Sequence, residues 1–97
     1  MAGTLAGSQL ITADGVVGIS GQAKVIYAVH IISGGTAGVV NLRRGTAVTD
    51  TIGITHTGTI SLGITFPYAP EGFFFPGGCY CDIDANVTSV LVSYRES

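Results

Sequence analysis

From Ala23 to Ser33 the chain carries Lys-Val-Ile-Tyr-Ala-Val-His-Ile-Ile, and this run sets the terms for the rest of the fold. Its β-branched residues stiffen the side chains and favour strand over helix. Extended backbone puts Val25, Tyr27, Val29 and Ile31 on one face, and Ile26, Ala28 and Ile32 on the other. Both faces are apolar, so the strand needs cover on both sides. That places it in the centre of a sandwich or at a subunit interface.

A second constraint comes from Cys79 to Arg95. Cys-Tyr-Cys-Asp-Ile-Asp and Val-Thr-Ser-Val-Leu-Val-Ser-Tyr-Arg flank Ala85-Asn86. Two β-type runs around two residues, the second tolerant of positive φ, predict a hairpin. Pairing Asp84 with Val87 sets Ile83 opposite Thr88, Cys81 opposite Val90 and Cys79 opposite Val92. Those residues form a mostly apolar face. Tyr80, Asp82, Asp84, Ser89, Leu91 and Ser93 form the mostly polar one. The two cysteines fall on the same side of one strand, about 6.5–7 Å apart. That is at the limit for a disulfide, so two free, buried thiols are expected.

Shorter runs fill in the remainder. Strands are expected over Gln9–Thr12, Val16–Ser20, Val39–Arg44, Thr51–Thr55 and Thr59–Phe66, with Val39–Arg44 pairing back on the strand before it. Turns fall at Ala13-Asp14-Gly15, Gly21-Gln22, Gly34–Gly38, Gly45–Asp50 and His56-Thr57-Gly58. No window has the i, i+3, i+4, i+7 apolar pattern of a helix. The expected fold is all-β: a seven- to eight-stranded antiparallel β-sandwich, jelly-roll-like, over residues 9–97, preceded by a flexible arm at 1–8.

Charge narrows the function classes. Charged residues make up 10% of the 97 residues, against 46% hydrophobic. A typical chain has ~25% charged residues, and obligate interfaces are where charge is depleted. The shortage therefore predicts that other protein covers much of the surface. Four basic residues on a chain of net charge −2 form no stripe to neutralise phosphates, so no nucleic-acid partner is expected. No apolar run approaches the ~18 residues of a membrane span. The start of the chain lacks the charged and apolar regions of a signal peptide, which predicts synthesis in a cytoplasm.

No constellation of chemistry-bearing residues stands out. Cys79-x-Cys81, His30 and His56 lack the spacing of a zinc site. Asp82 and Asp84 share a strand face, but such pairs are usually solvated or interfacial. There is no Gly-x-Ser-x-Gly elbow and no phosphate loop after Arg43-Arg44. The expectation is no enzyme, no metal and no cofactor.

The most informative local feature is Phe66-Pro67-Tyr68 through Phe73-Phe74-Phe75-Pro76, with five aromatics in ten residues. Three prolines rule out a central strand through this stretch. An extended backbone sends Phe74 opposite to Phe73 and Phe75, so one ring faces away from its own core. Either the segment closes the end of the sandwich or it anchors a subunit contact, where aromatics are enriched. Tyr27, Phe66, Tyr68, Phe73, Phe74 and Phe75 are the candidate interface residues.

Taken together, the apolar strand Val25–Ile32, the Gly/Thr-rich excursion Gly34–Asp50, the aromatic-Pro element Phe66–Gly78 and the closing run Tyr80–Arg95 resemble a group of small virion proteins of tailed bacteriophages. The resemblance implies a β-sandwich that forms homo-oligomers and serves as a structural part of the particle. A capsid decoration (cement) protein is the first expectation: a trimer docked on a larger lattice such as a major capsid protein, made in the host cytoplasm and located in the virion. A tail or connector part belongs to the same class. The alternative from another class is a carbohydrate- or receptor-binding module, drawing on Tyr68, Tyr80 and Asp82.

Overall fold

The computed structural model describes residues 5–59, 63–68 and 71–96. Among them are nine strands: β1 (Leu5–Ile11), β2 (Gly15–Val16), β3 (Lys24–Ser33), β4 (Val39–Arg44), β5 (Ile52–Thr57), β6 (Gly63–Pro67), β7 (Phe73–Phe75), β8 (Cys79–Ile83) and β9 (Val87–Glu96). No helix of the described residues is long and apolar enough to cross a membrane. The fold is all-β, with two antiparallel sheets in a sandwich-like arrangement.

The larger sheet runs β1-β9-β3-β6, and the smaller runs β2-β8-β4-β5. β7 shares an edge of β3 with β6: β6 pairs with Ala28–Ile32 and β7 with Lys24–Ile26. The pairs nest. β1 pairs with β9, β2 with β8, β3 with β6 and β7, and β4 with β5, alternating between the sheets. The contacts β3·β9 and β4·β8 then complete each sheet.

The core lies between the sheets. Ile11, Ile26, Val29, Ile31, Val90 and Val92 of the larger sheet meet Val40, Leu42, Cys79 and Cys81 of the smaller. Val17, Phe75 and Val87 join them. Most of these side chains are small, and Phe75 is the one fully buried aromatic ring among the described residues. Non-directional apolar burial is the main force holding the layers together.

Several expectations change here. Cys79–Arg95 is not a hairpin, because β8 and β9 belong to different sheets. The turn itself is where the sequence placed it: Val87 N–H donates to the Asp84 carbonyl at 3.3 Å, and Asn86 N–H to Asp84 Oδ1 at 2.9 Å. The chain crosses from one layer to the other there, so Cys79 and Cys81 still share an interior with Val90 and Val92. Likewise β4 does not pair back on β3 but lies in the other sheet.

Two bulges reset the expected faces. On β3 the register skips Tyr27, between Ile26↔Tyr94 and Ala28↔Ser93. Ile26 therefore points into the core together with Val29 and Ile31, not opposite to them. On β9 the register skips Thr88, which is exposed while Val87 and Val90 are buried.

Other boundaries shift as well. The expected arm at 1–8 is strand from Leu5 onward, paired with β9, and residues 1–4 lie outside the described set. Val16–Ser20 shrinks to a two-residue β2 and a turn. His56 stands on β5 rather than in a turn. The expected Thr59–Phe66 strand is β6, starting at Gly63, with 60–62 outside the described residues. The strand count exceeds seven or eight through the three-residue β7, which lies in the stretch read as a crossing. β7 avoids the proline objection by sitting at a sheet edge.

Cys79 and Cys81 are free and fully buried. Burial pushes both thiols up to about 12, with the charge of Lys24 opposing the rise at Cys79. The thiolate is the reactive form. Alkylation by iodoacetamide is expected to be slow in the native protein and fast in denaturant. Rapid native labelling of both residues would contradict this burial.

Candidate interface on the larger sheet

The two outer faces of the sandwich differ in kind. On the smaller sheet the outward side chains are mostly polar and tied to one another, with Ile52 the one exposed large hydrophobic on its described strands. Arg43 donates from Nε at 3.0 Å and Nη2 at 2.8 Å to Asp82 Oδ2, and from Nη1 at 3.0 Å to the Asp50 carbonyl. Thr55 Oγ1 donates to Asn41 Oδ1 at 2.7 Å. Asp84 Oδ2 accepts the Val39 N–H at 3.0 Å. Asp82 and Asp84, which share a strand face in the sequence reading, thus both tie β4 to the β8 segment.

The larger sheet presents a different surface. Reading across in register, Leu10 on β1 lies beside Leu91 on β9, then His30 on β3 and Thr65 on β6. One row on one side come Ser89, Ile32 and Gly63; on the other, Ser8, Ser93, Ala28 and Pro67. Beyond those lie Arg95, Val25 and Phe74. Among the described residues of this face there is no carboxylate, and Arg95 is the one formal charge. Leu10 is 62% exposed, Phe74 52%, Ile32 40% and Leu91 39%. Four of the seven exposed large hydrophobics among the described residues thus stand on one face. Exposed apolar residues gathered on one face make it a candidate interaction surface.

The six sequence candidates divide between this face and the interior. Phe74 is on the face. Tyr27 sits at the β3 bulge, half-buried, with the Arg95 guanidinium 5.8 Å from its ring centre. Phe75 is in the core, and Phe66, Tyr68 and Phe73 pack against it.

These inner rings belong to a ladder that fills the gap between the edge of β5 and the edge of β6 and β7. His56 stacks on Phe66 at 4.0 Å and 14°, and on Tyr68 at 5.7 Å and 16°. Tyr68 leads to Phe73 at 6.2 Å, and Phe73 to Phe75 at 5.1 Å. Arg44 lies over Phe73 and Phe75, 5.2 and 5.5 Å from their centres. The aromatic-Pro segment therefore closes the sandwich with most of its rings and exposes one.

Sequence reasoning missed Leu10, Ile32 and Leu91 as candidate interface residues. Leu91 was the clearest signal, a large apolar side chain on a face otherwise read as polar.

Half-buried polar groups in the ladder carry a pH consequence. His56 Nε2 and the Tyr68 hydroxyl are hydrogen-bonded at 2.5 Å. Burial lowers the His56 pKa from 6.5 and raises that of Tyr68. A lowered histidine pKa means that the unfolded chain takes up the proton first. The stabilising contribution is complete above 6.5 and is lost as pH falls from there toward the folded value. The urea midpoint is expected to drop between about pH 7.5 and about pH 5.5, and to drop less in His56→Phe. An identical pH dependence in that variant would assign the effect to other groups.

No three His, Cys, Asp or Glu side chains converge among the described residues. His30 Nδ1 is 2.7 Å from Thr65 Oγ1 on the outer face of the larger sheet, whereas the two thiols are buried in the core. Compared with protein-family models, with curated proteins and with solved structures, the chain matches none.

Proposed function

We propose that this chain is a non-enzymatic structural subunit that works by protein–protein contact, and specifically a decoration (cement) protein of a tailed-bacteriophage head. The observation that carries the reading is the outer face of the larger sheet, free of carboxylates and set with exposed Leu10, Ile32, Phe74 and Leu91. A face of that composition suits broad contact with protein and offers little to a small polar ligand.

The nested strand order supports the finer fold reading, a jelly roll. A chain folded on itself at the β4–β5 turn, with successive pairs alternating between sheets, is what rolling a long two-stranded ribbon produces. Jelly rolls recur in viral capsid proteins and in lectins, so the fold alone does not choose between particle and sugar. The residues do. Tyr68 is hydrogen-bonded to His56, and Asp82 is held by Arg43. A sugar site would have to break both arrangements.

Self-association and docking on a capsid lattice both belong to this proposal, the expected trimer being one stoichiometry of the former. Mass spectrometry of purified particles tests it. Recovery of the chain in a fixed stoichiometric ratio to the major capsid protein is the expected result. Its absence from particles, or specific glycan binding by the isolated protein, would overturn the reading.

A further inference from the structure

We infer that the outer face of the larger sheet is covered by the same face of a second copy of this chain, about a two-fold axis. This rests on the reading of the chain as an assembly subunit and goes further by naming the occupant. Four strands about 4.8 Å apart, rising about 3.4 Å per residue along β9, present roughly 600 Å² of face. Two such faces in contact bury roughly 1,200 Å², the lower bound for specific, stable association.

Charge selects the occupant and the axis. A foreign partner of opposite charge finds one handle here, Arg95, which is already set over Tyr27. A second copy brings no carboxylate that would be buried unpaired. With the axis lying across the strands at Leu91, the two Arg95 side chains sit roughly 27 Å apart, well beyond the ~8 Å screening length. An axis along β9 would instead set one Arg95 on the other.

Shape agrees with the same axis. Ile32 and Ala28 flank His30 on β3, opposite Ser89 and Ser93 of β9, at equal distances from the row of Leu91. The rotation lays the large Ile32 of each copy over the small Ala28 of the other. Leu10 meets Leu10, and Leu91 meets Leu91. A surface that meets itself closes as a dimer, in place of the three-fold ring expected from the sequence.

Sedimentation velocity on the purified chain at about 50 µM, a concentration at which a micromolar dimer is mostly formed, is the test. The wild type is expected at twice the 9.9 kDa chain mass. Leu91→Asp places two carboxylates on the axis and is expected to be monomeric with an unchanged far-ultraviolet spectrum. Val48→Asp, exposed but off this face, is expected to remain dimeric. Should Leu91→Asp fail to fold, Leu10→Asp on the edge strand serves the same purpose.

A monomeric or trimeric wild type overturns the inference, as does a folded Leu91→Asp that stays dimeric. So does a Val48→Asp that dissociates. A monomer that is nonetheless recovered from particles removes the dimer and leaves the particle role standing. A dimer absent from particles does the reverse.

Discussion

Lys24→Met is expected to lower the free energy of unfolding by about 3–5 kcal/mol, the usual cost of breaking a buried ion pair from one side. Lys24 and Glu96 are register partners on β3 and β9, both pointing inward at one end of the core. Lys24 Nζ lies 3.3 Å from Glu96 Oε1, with the side chains 0% and 5% exposed. The ammonium also donates to the Ile19 carbonyl at 3.0 Å and to that of Gln22 at 2.5 Å. Glu96 Oε2 accepts the Ile19 N–H at 2.7 Å.

The pair therefore ties two strands to the 17–22 turn that caps the sandwich. Gly18 makes room for it. Its φ is 64°, and a Cβ there would collide with the Glu96 carboxylate. Methionine keeps the bulk of the lysine stem but takes the ammonium from the Ile19 and Gln22 carbonyls and leaves the buried Glu96 Oε1 without its ion-pair partner. Such groups cost full desolvation.

Urea unfolding monitored by tyrosine fluorescence measures the change. Lys24→Met/Glu96→Gln should recover part of the loss, since the second change removes the orphaned charge. A single variant within about 1 kcal/mol of wild type, the median worth of an exposed pair, would place this ion pair in solvent instead.

Phe75→Ala carries a second large effect, about 3–5 kcal/mol, from lost burial plus the cavity left behind. Phe75 is fully buried and packs against Phe73, Arg44 and the backbone at Gly53. A Cβ at position 53 would come 3.0 Å from the ring, so the neighbouring strand is already in close contact with it.

Phe74→Ala is the internal control. Its ring is on the outer face, and its loss should change subunit stability by no more than about 0.5 kcal/mol. A ~100-residue domain shifts its melting temperature by roughly 4–8 °C per kcal/mol, so the two variants should melt far apart. Equal melting points for them would mean that the alternation along Phe73-Phe74-Phe75 is wrong.

That alternation was legible in the sequence, as was the interior character of Cys79, Cys81, Val90 and Val92. So was the turn at Ala85-Asn86. Each depends on local matters: the period of two along a strand, the stiffness of β-branched side chains, the tolerance of Asn for tight turns. The shortage of charge likewise pointed toward a covered surface without saying where.

What lay outside the sequence was the partner of each dry face. β8 and β9 can bury the same residues by lying side by side or by facing each other across the core, and their pattern is identical in both cases. Only the pairings of β8 with β4 and of β9 with β3, contacts between residues far apart in the chain, decide between them. The bulges at Tyr27 and Thr88 are also tertiary, because one unpaired residue reverses every face beyond it at no cost to local preference.

The candidate interface depended on the same decisions. Leu10, Leu91 and Ile32 come from three separate strands, each with one exposed large apolar residue on its outward side. By itself, the sequence determined that the chain is made of strands, where most of them turn, and that Cys79, Cys81, Val90 and Val92 point into a dry interior. The tertiary structure decided which strands share a sheet, and so which apolar residues gather into one exposed face. Alternation is a property of neighbours in the chain, whereas a surface patch is made by residues that are neighbours only in space.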